Sequence, residues 1–186
     1  MAVTTLDPKT ALIVIDLQKG IVALSTVHPI AEVVKRTRLL LDTFRGRGLP
    51  VVLVNVAGQA PGRTERQRRP EPFPDGWTDL IPELNQQPGD IVVTKRTWGA
   101  FPGTNLEEQL KTRGVTQVVL VGVATGTGVE ATARQAYEQG FNVTLAIDAM
   151  TDLRPEAHDY SITHVFPRLG ETGTTQEIIN LLERNA

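Results

Sequence analysis

The chain contains no cysteine. That absence excludes disulfides, thiolate metal sites and thiol nucleophiles together, and it fits a cytoplasmic protein. No apolar run is long enough to span a bilayer, and no basic-then-apolar signal opens the chain. Nineteen basic residues stand against 21 acidic ones. The formal charge is therefore only −2, and nothing calls for nucleic acid or an anionic membrane surface. The phosphate-cradling P-loop is missing, as is a G-x-G-x-x-G after the first strand. Ser25 and Ser161 do not sit in a G-x-S-x-G elbow. His28, His158 and His164 lack the i, i+4 spacing of helical metal ligands and read as surface or packing residues. Neither metal nor cofactor is expected.

What the 186 residues do contain suits one domain, 1–186, with a sizeable core. Ala11-Leu12-Ile13-Val14-Ile15 is an unbroken apolar run ending at Asp16, the pattern of a central parallel strand. Residues 17–28 lack periodicity. Pro29 then opens a helix whose apolar face runs from Ile30 to Phe44 and which Gly46 and Gly48 close. Val51 to Val56 forms a second strand. Residues 57–89 hold six prolines, four glycines and the basic cluster Arg63 to Arg69, so they read as a long surface excursion. The arginines are a solvated loop or, less simply, a lid over an anionic substrate.

Asp90 to Thr94 predicts a third strand with Lys95 at its end. Thr104-Asn105-Leu106-Glu107 is a capping box that opens a helix, and Gly114 stops it. Strand 118–121 and helix 128–139 follow, then a strand from Asn142 to Ile147 ending at Asp148. A helix near 156–164, a weaker strand near 168–172 and a last helix capped by Thr174-Thr175-Gln176-Glu177 complete the chain. Strands alternating with helices call for a three-layer α/β/α sandwich around a mostly parallel sheet of about six strands. Ligands bind such sheets beyond the carboxyl ends of the strands. Asp16, Lys95, the turn from Gly122 to Gly128 and Asp148 are all expected there.

The chain is organised around residues 117–134, QVVLVGVATGTGVEATAR. A buried strand, a small-residue turn and a T-x-x-E capping box (Thr127 to Glu130) bring several backbone amides to one point, which favours an anion or a developing oxyanion. The alternative is a βα unit whose glycines only permit close packing. Asp16 is either a carboxyl poised for proton transfer by burial and a nearby lysine, or a cap on the loop it opens. Lys95 is either its partner or a solvated strand end. Trp98 and Phe101 either wall a pocket or pack in the core.

Three stretches together resemble the isochorismatase-like hydrolases, the cysteine hydrolase superfamily: ALIVIDLQKG around Asp16, VVTKRTWGAFPGTNLEEQL around Lys95, and LVGVATGTGVEATARQAYEQGFNVTLAIDAMTD. They cover most of residues 10–180. The resemblance implies a Rossmann-type fold and an aspartate–lysine–cysteine catalytic set, matched by Asp16 and Lys95, with Gly128 at the position of the cysteine. It also implies turn amides that hold an oxyanion and a non-proline cis peptide at Val123–Ala124. Covalent chemistry cannot run through Gly128. True isochorismatases share a glycine at that position and cleave a vinyl ether with the aspartate as general acid. A further cysteine-free group shares the T-G-V-E-x-T-A-R style of motif. The expectation is a cofactor-independent hydrolase of a small metabolite, with Asp16, Lys95 and Gly128 at the catalytic centre and Ala124, Thr125, Trp98 and Phe101 against substrate. A silent binding or scaffold protein is the alternative. By resemblance the chain forms a homo-oligomer, dimer or tetramer.

Overall fold

The computed structural model describes residues 3–65 and 72–184. Most of the Arg63–Arg69 cluster, residues 66–69, therefore lies outside the described residues. Six strands form one parallel sheet: β1 (Thr10–Ile15), β2 (Val51–Val56), β3 (Ile91–Lys95), β4 (Gln117–Val123), β5 (Asn142–Thr151) and β6 (Glu171–Gly173). Their order across the sheet is β3-β2-β1-β4-β5-β6. The chain winds outward from β1 in one direction and from β4 in the other, which leaves a crevice between these two at their carboxyl ends. Every residue of β1 and of β4 is buried, as uninterrupted apolar strands covered on both faces should be.

Alternate residues feed two separate cores. Ile13, Ile15, Val118 and Leu120 meet Leu106 and Leu110 of α3 (Leu106–Thr112) and Ala133 and Ala136 of α4 (Glu130–Glu138) on one face. Leu12, Val14, Val119 and Val121 meet Leu40, Leu41 and Phe44 of α2 (Ile30–Gly46) and Ile178 of α6 (Thr175–Arg184) on the other. The expected three-layer sandwich is thus present. A short helix, α1 (Lys19–Val22), interrupts the connection after Asp16, and α5 (Pro155–Tyr160) follows β5.

The structure corrects several element boundaries. β5 does not end at Asp148 but runs to Thr151. Leu120 faces Leu145 whereas Gly122 faces Met150, so β5 bulges between those pairs, and a bulge re-aims the side chains it carries. Asp148 falls in the irregular part. Its carboxylate accepts the amide and hydroxyl of Thr175 (2.7 and 2.9 Å) and lies 3.4 Å from Arg36 Nε. It caps α6 and ties that helix to α2. The helix expected at 128–139 begins at Glu130, after a wider π-turn over Thr125–Val129. The Thr127–Glu130 capping box does not form. Glu130 instead pairs with Arg134 at 2.9 Å and accepts the Ser161 hydroxyl at 2.6 Å. Of the box at Thr104, only the hydroxyl-to-Leu106 amide bond exists, at 3.3 Å, because Glu107 turns to Lys111. At Thr174 the box is complete. Glu177 accepts the Thr174 amide at 2.7 Å and donates its own amide to the Thr174 hydroxyl at 3.3 Å. The Thr174 bonds hold the Glu177 carboxyl below its ordinary value.

Candidate active site

β1 delivers Asp16 into the crevice, and the residue leaves the strand with a left-handed backbone, φ 51°. An L-residue held there costs on the order of 1–3 kcal/mol, and such residues gather at functional sites. Gln18 fixes the exit. Its side-chain amide donates to Val56 O at 3.0 Å and accepts from Val56 N at 2.7 Å, so it bonds β1's exit to the end of β2 as a further strand residue would. Lys95 ends β3, two strands away from β1. That gap of about 9–10 Å is within the combined reach of a lysine and an aspartate. Lys95 Nζ donates to Asp16 Oδ2 at 2.8 Å and to Thr97 O at 3.1 Å. Both residues are buried, Asp16 5% and Lys95 2% exposed. An ion pair this dry is held by its geometry. Removing either member would take an opposite charge away from a buried one.

The π-turn brings Gly128 against this pair. Where a methyl group would be added at Gly128, it would lie 3.3 Å from Asp16 Oδ2 and 3.0 Å from Ile15 Cγ2. Close approach of the strands makes this contact possible. Gly122 has φ 117°, and a β-carbon there would collide with the Ile15 carbonyl oxygen. The peptide between Val123 and Ala124 is cis, as the resemblance implied. Ala124 O accepts the amides of Thr127 and Val129, both at 3.1 Å. The widened turn explains why the T-x-x-E spacing misled: its extra residue rotates Thr127 away from the geometry that a capping box needs.

The other predicted residues separate. Thr125 is wholly buried, and its hydroxyl is paired with His158 Nδ1 at 2.8 Å. Phe101 lies in the core beside Phe141, ring centroids 6.1 Å apart. Trp98 is 69% exposed, just past Lys95, and so does not pack in the core.

Two residues stand behind the π-turn: Asp152, which the sequence passed over, and His158, which it read as a surface or packing residue. Asp152, buried, accepts Gly126 N at 2.7 Å through Oδ2, and Leu153 N and Arg154 N at 2.7 and 3.1 Å through Oδ1. His158, 6% exposed, holds Thr125 and lies 4.6 Å from the ring of His28. Burial first, then His28, push the His158 imidazole below its ordinary 6.5, against weaker upward pulls from Asp159 and Asp152. The Met-Thr-Asp end of the third matched stretch was the available signal for Asp152. A lone histidine in a short helix offered none. Among the described residues no three His, Cys, Asp or Glu side chains gather in a metal-holding group, and no helix is long and apolar enough to cross a membrane.

A match to the isochorismatase domain over residues 10–177 decides the family. The chain belongs to the isochorismatase family. Its relatives include the uncharacterized isochorismatase family protein YecD of Escherichia coli O157:H7, 42% identical over 93% of this chain and 96% of the relative. Nicotinamidase 3 of Arabidopsis thaliana is 32% identical over 86% of this chain and 83% of its own length. An isochorismatase family protein from Burkholderia thailandensis has the same fold, with a TM-score of 0.92 and 41% identity over 96% of this chain and 98% of that one. The family is one of hydrolases, and the cysteine-free sequence places this chain in a cysteine-free part of it.

Proposed function

We propose that the chain is a cofactor-independent hydrolase of a small anionic or carbonyl-bearing metabolite, with Asp16 as general acid/base and Lys95 as its charged partner. One observation carries this: the position facing Asp16 Oδ2 is Gly128, where even a β-carbon would come within 3.3 Å. Gly128 provides no side-chain nucleophile, so the enzyme attacks with water.

Two bonds suit the arrangement. In a vinyl ether, Asp16 delivers a proton to the terminal carbon, water adds to the resulting oxocarbenium carbon, and the water's proton returns to Asp16. The hemiketal then collapses to a ketone and an alcohol. In an amide or ureide, Asp16 takes a proton from water as it attacks the carbonyl and hands one to the departing nitrogen. Lys95 holds negative charge on the carboxylate and on the substrate. Backbone amides of Ala124 and Gly128 face the developing oxyanion, Thr125 orients their turn, and exposed Trp98 forms the rim, while buried Phe101 supports it from the core. The single domain works in the cytoplasm as a homo-oligomer, without nucleic acid as partner.

A second reading is favoured by the burial of Asp16 and Lys95: a family member that binds a small molecule and no longer turns it over. Incubating the protein with amides, ureas and isochorismate, and following ammonia and pyruvate, separates these outcomes. Ammonia identifies C–N cleavage and pyruvate identifies vinyl-ether cleavage. Silence toward every compound that binds would replace the hydrolase with the binding protein.

A further inference from the structure

The chemistry assigned to Asp16 leaves a second polar cluster unused, on the opposite flank of the same π-turn. Its centre is His158 on α5. It faces Thr125 of the π-turn at 2.8 Å, His28 of the β1–α2 connection at 4.6 Å between ring centroids, and Asp152 at the end of β5, with Asp159 beside it in sequence. Each of these neighbours is itself tied down. His28 N donates to Thr151 Oγ1 at 3.0 Å, and its Nδ1 lies 3.3 Å from the same hydroxyl. Val27 N donates to Asp152 O at 2.8 Å. Asp152 Oδ2 holds Gly126 N at 2.7 Å. A β-carbon on Gly126 would come within 3.1 Å of Ala157 Cβ, so α5 packs directly on the turn.

The cluster therefore joins two segments that meet again at the candidate active site. One is the connection that leaves Asp16. The other is the turn that carries Gly128 to within contact of Asp16. Their separation at the site is fixed from behind by the Thr125–His158 bond, the Asp152–Gly126 bond and the His28 contacts.

We propose that His158 is a positioning residue: its Nδ1 bond to Thr125, braced by His28 and Asp152, holds residues 124–128 in register with Asp16. The role belongs to the neutral imidazole. A protonated ring can only donate from Nδ1, so Thr125 loses its choice of hydrogen-bond direction, and a cation is placed beside His28 in a buried site. Acidification accordingly loosens the turn without any change at Asp16. Asp152 and Asp159 soften that effect, being the acidic groups near the ring.

This inference rests on Asp16 as the acid–base group, and the experiment separates the two. Amide proton–nitrogen spectra of wild type and His158→Asn are followed from about pH 8 to about pH 5, the range in which a histidine changes charge. Asparagine keeps a hydrogen-bonding atom near the place of Nδ1 and does not titrate. The Gly126 and Gly128 amides of wild type should shift together with one midpoint below 6.5, and that transition should vanish in His158→Asn. His158→Phe, which lacks the bond, should lose about 100-fold in kcat, the scale of a small misplacement of reacting groups. His158→Asn should retain most of kcat near neutral pH and lose the acid limb of the profile. Should His158→Phe fail to fold, the asparagine variant alone carries the test. Glycine amides that ignore the titration, or that titrate identically in His158→Asn, would overturn the proposal even where Asp16→Asn abolishes turnover. The converse result, titrating amides with an Asp16→Asn enzyme at full rate, would remove the catalytic assignment and leave the brace standing.

Discussion

The two flanks of the π-turn at 125–129 are built on opposite plans. On the Asp16 flank the structure invests a full ion pair, both members almost wholly buried, against a glycine that contributes nothing but backbone. On the His158 flank the polar contacts are hydrogen bonds to fixed partners and a ring contact. A buried ion pair gives little net stability, because desolvation offsets its attraction, yet breaking it is expensive. Neutral hydrogen bonds contribute roughly 1 kcal/mol each, and one to a carboxylate such as Asp152 about 1.5–3 kcal/mol; fixed in direction, they are suited to holding a position. On the proposed reading, the difference assigns chemistry to one flank and geometry to the other.

The contrast can be broken most forcefully at Lys95. Lys95→Met removes the ammonium that neutralises the buried Asp16 carboxylate and should cost about 3–5 kcal/mol in urea unfolding. Combined with Asp16→Asn, the loss should be well under the sum of the single losses, since that carboxylate charge is then gone. Additive losses would mean that the two do not act as a pair. Gly128→Ala comes next. Its methyl would press on Ile15 and Asp16, with about 1–3 kcal/mol lost by overpacking. A neutral effect would show that the space opposite Asp16 is roomier than the structure has it.

The His158 flank should reveal itself by pH. Its folded-state value lies below the ordinary 6.5, so the unfolded chain binds the proton more readily. Stability from this group is complete above the unfolded value and declines as pH falls from there through the folded value. Unfolding free energies at neutral and mildly acidic pH should differ more for wild type than for His158→Asn. The smallest effect is expected at Trp98→Ala, within about 0.5 kcal/mol of wild type, because the ring is 69% exposed. Any large effect on substrate KM would then identify it as part of the binding surface.

Much of this was legible in the sequence for a physical reason. Strands buried on both faces cannot hide, so β1 and β4 read directly, and a carboxylate or ammonium ending such a run stands out. Asp16 and Lys95 were found that way. Asp148 was expected at the carboxyl end of β5, but the bulge cannot be seen in composition: the strand continues past it to Thr151. The Thr127–Glu130 box failed because its spacing presumes α geometry where the chain takes a wider turn. His158 gave no pattern at all. Its importance lies in contacts with Thr125 and His28, residues distant in sequence, which only the folded chain brings together.

The central claim is that Asp16 moves the proton and water makes the attack. The direct measurement is the turnover rate of Asp16→Asn on whichever substrate the wild-type enzyme hydrolyses, with circular dichroism confirming the fold. Loss of about 1,000-fold, within the range that a general acid/base supplies, is the expected result. A rate equal to wild type would contradict the claim.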